Sequence, residues 1–413
     1  MSTDVLNGSL SLPADAPRAA RTAMTLLSRL QHGRLDLQLP DGSTAALGQR
    51  NGHAEGGGER AALRIHDWAM AEATLKSGDI GLGESYIQGH WSSPDLAALL
   101  TLFLHNRNAL EAAVYGRWWG ALLYRLKHLL NRNTRQGSRR NIVAHYDLGN
   151  AFYRLWLDSS MNYSSAWFEE GRSQSMYEAQ QAKMARALRA VALQPGQRLL
   201  EIGCGWGAVA EMAARDFNAQ VLGLTLSDEQ LAYARQRLQA AGLHSQTELR
   251  LQDYRDLPEQ GFDAVVSIEM FEAVGREYWG DYFQALKRSL KPGGLACVQS
   301  ITLQDALWER YSRGTDFIQQ YIFPGGLLPS PERFEAEARR AGLEVQERFA
   351  FGLSYAETLK RWRADFLRHE GAVREQGFDE KFIRCWEFYL AYCEAAFATG
   401  NCDVCQFTLR RPA

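Results

Sequence analysis

The sequence predicts an α/β protein in which a doubly wound, Rossmann-like domain follows a smaller α+β, mainly helical N-terminal domain. Three observations predict it. Beyond residue 141, strand-like runs and helical runs alternate in a β-α-β-α rhythm. A glycine-rich turn, Gly203-Cys204-Gly205-Trp206-Gly207, joins the first of those strands to a helical run. A polar, basic, glycine-containing stretch at 131–141 (NRNTRQGSRRN) marks the boundary between the two parts. The expected organisation is a disordered tail at 1–20, an N-terminal domain at 21–135 and the doubly wound domain at 136–413.

Each element has its own signal. Pro13, Asp15, Pro17 and many small residues read as a disordered tail. Apolar residues recur at helical spacing over 19–32. Alternation at 35–39 and 61–65 predicts strands, with PDG at 40–42 as a turn, and Gly56-Gly57-Gly58 reads as a loop tip. Residues 92–130 are largely helical in pattern. In the second domain the strands are GQRLLEIG, AQVLGLTL, TELRLQDY, FDAVVSIEM and LACVQSIT, with helices starting near 208, 227 and 278 between them. An aromatic-rich helical region covers 356–398, and 406–410 forms a last strand.

Composition limits the function classes. The chain has 413 residues and is 46% hydrophobic, enough for a sizeable core. A formal net charge of -2 excludes bulk electrostatic attraction to nucleic acid, so no nucleic-acid partner is expected. The strongest apolar run, 96–104, is about half the ~20 residues a bilayer-spanning helix needs. The polar N-terminus lacks the basic start and apolar core of a signal peptide, so the expected location is cytoplasmic, with any membrane contact peripheral. Six cysteines in apolar surroundings fit reduced thiols. Cys402-x-x-Cys405 has no second pair at ligand spacing, and no metal site is expected.

The glycine turn implies close approach of backbone to a ligand. Gly203, Gly205 and Gly207 permit unusual φ angles and remove Cβ obstruction, and the G-x-G-x-G spacing differs from the G-x-G-x-x-G of a pyrophosphate site. Glu201, two residues before the first glycine, suits a ligand ammonium group. The second strand ends in LTLSDEQ at 224–230, where a nucleoside ribose would lie, and the third in LQDY at 251–254, where Asp253 could meet an adenine amino group. Together these describe a site for S-adenosylmethionine (SAM).

Longer motifs narrow the substrate. SGDIGLGESYIQGHW (77–91), AHYDLGNAFYRLWLD (144–158), MNYSSAWF (161–168), EIGCGWG, LTLSDEQ, LQDYRDL, SIEMFEAVG (267–275) and YIFPGGLLPS (321–330) occur in order along the chain. In these the chain resembles the cyclopropane fatty acid synthase family, including the mycolic acid cyclopropane synthases. The resemblance implies transfer of a SAM methyl group to the cis double bond of an unsaturated phospholipid acyl chain, closing to a cyclopropane. It places Tyr163, Ser164, Gly203, Gly205, Thr225, Leu226, Gln230, Asp253 and Tyr254 around SAM. It also implies helical insertions that wall an acyl tunnel, and a homodimer.

In that family a bicarbonate ion serves as the base, held by a Cys, a Glu, a His, a Tyr and a backbone carbonyl. The resemblance assigns Glu272 and Tyr321 to the Glu and Tyr positions and Ile268 to the carbonyl. Ser165 stands where the Cys would be, Gln299 where the His would be, and Glu269 where the family has a glycine. Bicarbonate is therefore in doubt, and Glu272, helped by Glu269, is expected to take a larger part. Loss of a proton from an adjacent methylene would give a methyl-branched alkene in place of the ring. Methylation of a small molecule is the rival enzymatic reading. His145 reads as structural or lid-forming.

The segment 115–128 (YGRWWGALLYRLKH) interleaves aromatics, aliphatics and cations, as an interfacial helix does. Arg132, Arg135, Arg139 and Arg140 follow it and suit anionic lipid. Peripheral contact with the inner face of the membrane is the expectation.

Overall fold

The computed structural model describes residues 16–48, 60–114 and 148–413, the side chains of 111–114 excepted. The expected loop tip at 56–58, His145, the basic linker at 131–141 and the membrane-contact segment with Trp118 and Trp119 lie outside the described residues.

The N-terminal part is a four-stranded sheet covered by helices. β1 (Arg34–Gln38), β2 (Thr44–Gly48), β3 (Arg60–Ile65) and β4 (Trp91–Ser92) lie in the order β2-β1-β3-β4. The PDG turn joins β1 to an antiparallel β2, and β3 runs parallel to β1. Alternation sets the buried face: Leu35, Leu37, Ala61, Leu63 and Ile65 all point to the core. The helices are α1 (Arg18–Leu27), α2 (Ala69–Ile87), α3 (Leu96–His105) and α4 (Arg107–Val114). α1 begins inside the stretch expected to be disordered, because Ala20 and Met24 on its apolar face are buried.

α2 carries the SGDIGLGESYIQGHW motif. Gly78 breaks the helix with φ 62 and ψ -132. A Cβ on Gly83 would lie 2.5 Å from the Phe317 ring, so only glycine admits this close packing. Beside it, Asp79 Oδ2 accepts from the Phe317 N–H at 3.2 Å and from the Tyr392 hydroxyl at 2.9 Å.

The second sheet has seven strands in the order β10-β11-β9-β8-β5-β6-β7. β5 (Arg198–Ile202), β6 (Gln220–Thr225), β7 (Thr247–Leu251), β8 (Phe262–Ile268) and β9 (Leu290–Leu303) are mutually parallel, as the βα rhythm requires. β10 (Glu344–Ala350) and β11 (Cys402–Arg410) close the edge antiparallel. β10 was not foreseen, because its exposed, charged sequence EVQERFA lacks an apolar stripe.

Around this sheet lie α5 (Asn150–Tyr153), α6 (Met176–Ala190), α7 (Ala208–Phe217), α8 (Asp228–Ala240), α9 (Trp279–Ser289), α10 (Asp305–Tyr311), α11 (Phe317–Tyr321) and α12 (Pro331–Arg340). α13 (Gly352–Arg368), α14 (Glu370–Glu375) and α15 (Glu380–Ala398) form the aromatic-rich region. One hydrophobic core joins Leu35, Trp91 and Leu99 of the N-terminal part to Trp362, Trp386 and Phe388 of α13 and α15. The helices of the C-terminal region are thus the floor on which the N-terminal sheet rests.

Candidate active site

A cavity of about 320 Å³ opens at the C-terminal ends of β5, β6, β7 and β8. The chain leaves β5 to one side for β6 and β7 and returns on the other side with β8, and a ligand crevice forms where the direction reverses.

The glycine turn forms one wall. Gly203 and Gly205 have φ of 86° and 51°, in the left-handed region, and both line the cavity. Gly207 does not line it. It caps α7, and a Cβ there would come within 2.9 Å of Ala234 Cβ, so this glycine sets the approach of α7 to α8.

Glu201 is buried at the end of β5, with Oε2 unpartnered among the described residues. Burial pushes its carboxyl up to about 8. A buried acceptor that faces the cavity without a partner suits a cationic amine, so the residues present fit SAM.

Tyr163, Ser164, Thr225, Leu226, Gln230, Asp253 and Tyr254 line the same cavity. Thr225 Oγ1 donates to Gln230 Oε1 at 2.9 Å, which fixes the end of β6 to the start of α8. Asp253 is bound to Arg255 at 2.6 Å, so its carboxylate is neutralised in place. The Tyr163 and Tyr389 hydroxyls share a hydrogen bond at 2.7 Å.

The other part of the cavity is apolar, lined by Met270, Ile301, Phe323, Leu359 and Phe397, and it meets a pair of acids. Glu269 follows β8 with φ 48, a left-handed conformation that strains a side-chain-bearing residue. Its Oε1 accepts from the Ser165 N–H at 2.8 Å and from Gln299 Nε2 at 2.7 Å, and its Oε2 from the Tyr355 hydroxyl at 2.7 Å. Burial raises the Glu269 carboxyl, while Lys183 and these donors oppose the rise.

Glu272 Oε1 accepts from the Ile301 N–H and from Ser300 Oγ, and Oε2 has no partner among the described residues. Burial, reinforced by the charge of Glu269, pushes Glu272 up to about 8. The three donors and Lys183 favour the charged form of Glu269, whereas Glu272, with one oxygen unpartnered among the described residues, is the acid raised to about 8.

The expected anion site is rearranged. Ser165 offers its backbone N–H, while its hydroxyl donates to the Ala166 carbonyl. Gln299 is fully buried behind Glu269 and does not line the cavity, whereas Ile268 does. Tyr321, expected in the cradle, is 40% exposed, bonds Glu84 and stacks on Phe317, outside the cavity lining. The short helix α11 turns its ring toward α2. The donors at the Ser165 and Gln299 positions are already engaged by the Glu269 carboxylate, so bicarbonate does not fit there.

Residues 133–407 match the family described as mycolic acid cyclopropane synthetase. The chain belongs to that family. Similar proteins include the tuberculostearic acid methyltransferase of Mycobacterium tuberculosis, 39% identical across 83% of this chain and 81% of the relative. The cyclopropane-fatty-acyl-phospholipid synthase of Escherichia coli is 32% identical across 88% of this chain and 91% of its own. Among solved structures, the cyclopropane synthase MmaA2 of Mycobacterium tuberculosis has a TM-score of 0.62 at 32% identity, covering 66% of this chain and 98% of that one. The family makes this chain a SAM-dependent methyltransferase of lipid acyl chains.

Three residues at or behind the cavity escaped the sequence reading. Tyr355 reads as one more aromatic of a packed helix. Gln406 is revealed only by strand register, as the partner of Gln299 across β11 and β9. Lys183 did leave a signal: it falls on the buried stripe of α6 with Ala179, Met184 and Ala187, where a cation is unexpected.

Proposed function

We propose that the enzyme methylates the cis double bond of an unsaturated phospholipid acyl chain, with Glu269 as the base, and leaves a methyl-branched unsaturated chain. The observation that carries this reading is the carboxylate of Glu269 seated among the Ser165 N–H, Gln299 Nε2 and the Tyr355 hydroxyl. Bound SAM supplies an electrophilic methyl group.

The protein's part is to orient the alkene, exclude water and remove one proton. Tyr163, Phe323 and Tyr355 line the cavity, and aromatic rings beside the substrate chain favour positive charge on it. Glu269, ionised, adds a fixed negative charge and accepts the proton at Oε2. Glu272, protonated at neutral pH, adds no second charge.

A free bicarbonate can settle against the new methyl group. A carboxylate tethered to the backbone and held by three donors takes the proton its position dictates, which favours a branched alkene. The resemblance to a tuberculostearic acid methyltransferase supports this product. Ring closure is the second reading, supported by similarity to the Escherichia coli synthase along nearly its whole length.

No described helix is long and apolar enough to cross a membrane. The test uses SAM with a CD3 methyl group and vesicles of a dioleoyl phospholipid, followed by mass spectrometry before and after mild hydrogenation. A branched product carries the label and takes up hydrogen, with three deuteriums if the proton came from the chain and two if from the methyl. A labelled product that resists hydrogenation is a cyclopropane and overturns the branched assignment. Label that never enters acyl chains overturns the reaction class.

A further inference from the structure

Behind Glu269 a row of polar side chains leads to the edge of the sheet. Gln299 and Gln406 are register partners on β9 and β11, so their side chains share one face. Arg186 on α6 reaches the outer end of the row. Its guanidinium is fixed by Glu347 at 2.9 Å and lies 3.7 Å from the centroid of the Phe349 ring.

The row has a sense of direction. A guanidinium only donates, so the oxygen of the Gln406 amide must face Arg186, at 2.7 Å. Gln406 Nε2 then donates to the Lys183 carbonyl at 3.2 Å and to Gln299 Oε1 at 3.0 Å. That leaves Gln299 Nε2 to donate to Glu269 Oε1 at 2.7 Å. The Ser165 N–H donates to the same oxygen at 2.8 Å. With two N–H groups on it, Oε1 cannot carry a proton without meeting a donor head-on. Oε2 faces only a hydroxyl, that of Tyr355, which can turn from donor to acceptor.

We infer that Arg186 and Gln406 are positioning residues which, through Gln299, hold Glu269 Oε1 as a permanent acceptor and direct the abstracted proton to Oε2. This rests on the reading of Glu269 as the base. The other charged or titratable groups around Glu269 are Lys183 on α6, Glu272 on the same loop, and Tyr355 on α13 with Tyr163 beside it. Among the described residues neither the Arg186 nor the Gln406 side chain bonds any of these side chains, although Gln406 Nε2 donates to the Lys183 carbonyl.

Gln406→Glu tests the direction without changing shape. Its carboxylate pairs with Arg186 and accepts from Gln299, whose amide must rotate and turn its oxygen toward Glu269. Glu269 then holds a proton at neutral pH. The expected result is a loss of kcat at neutral pH of about 10-fold or more, recovering as the pH rises, with KM for SAM unchanged.

Arg186→Met, which removes the orienting donor, moves the acid limb of the kcat profile the same way. Arg186→Lys, still a donor-only cation, keeps the wild-type limb. An acid limb unmoved in both Gln406→Glu and Arg186→Met, whatever the stability of the variants, overturns the inference. Glu269→Gln is assayed alongside. If it turns over dioleoyl phospholipid vesicles like the wild type, the base assignment itself falls. If it is inactive while the other variants keep the wild-type limb, only the positioning role falls.

Discussion

Tyr355 donates its hydroxyl hydrogen to Glu269 Oε2 at 2.7 Å, tying the loop after β8 to α13. Tyr355 is buried, and burial together with the Glu269 carboxyl pushes its phenol well above its ordinary range. The tyrosine therefore stays a neutral donor, and its hydrogen bond favours the charged form of Glu269. Tyr355→Phe removes one of the carboxylate's donors in a water-poor site, where a hydrogen bond to a charged group contributes about 1.5–3 kcal/mol. The expected outcome is a kcat reduced roughly 10- to 100-fold at neutral pH, with the acid limb moved to higher pH. Steady-state assays across pH check it, and an unchanged profile would remove Tyr355 from the proton's path.

The legible part of this protein was what local pattern encodes. The strands of the central sheet and the glycine turn follow from alternation and from glycine spacing, and the residues from Glu201 to Tyr254 expected around SAM, Gly207 excepted, line one cavity. What failed was long-range. Tyr321 sits in a family motif, yet the direction of its ring depends on α2, whose Gly83 admits Phe317 so closely that α11 is held against that helix. Gln406 acquires meaning only from register with Gln299, which no local window reveals. Glu269 was visible as a substitution for glycine, but its seating in the anion cradle required the coordinates of three separate elements.

Tyr321 provides a check on that correction. Tyr321→Phe removes a hydrogen bond to Glu84 at a partly exposed position, for which a loss of about 0.5–1.5 kcal/mol in stability is the ordinary magnitude. Turnover is expected to stay within about twofold of wild type, since the ring is outside the cavity lining. A loss of 100-fold or more would return Tyr321 to the reacting centre.

Stability should respond to pH in an unusual way. Glu201 and Glu272 are both raised to about 8 in the folded chain, so the folded state binds more protons than the unfolded state between the ordinary carboxylate range and about 8. Their contribution is full at acid pH and is lost as pH rises toward 8. Lys183 is lowered to about 8, so above that pH the unfolded state binds more protons and stability recovers. For the ligand-free protein, these groups predict a shallow minimum in the melting temperature near pH 8. Glu272→Gln should flatten the acid side of that minimum. A melting temperature that rises between about pH 6 and pH 8 by the same amount in wild type and variant would contradict these assignments.

Glu269→Gly offers the sharpest test of the built-in carboxylate. Glycine adopts the φ of 48° without the strain a side chain brings, which is of order 1–2 kcal/mol, so the variant is expected to fold at least as stably as wild type. The substitution also empties the cradle, freeing the Ser165 N–H, Gln299 Nε2 and the Tyr355 hydroxyl to bind a small anion. Turnover should fall by about 10²- to 10⁴-fold, the usual contribution of a general base. Added bicarbonate or formate should then restore part of it in a saturable manner, while wild type stays indifferent to both. Because a free anion can approach the new methyl group, the rescued reaction is expected to yield more ring-closed product than wild type. Full activity of Glu269→Gly in bicarbonate-free buffer would show that the proton is taken elsewhere, with Glu272 the neighbouring acid that lines the cavity.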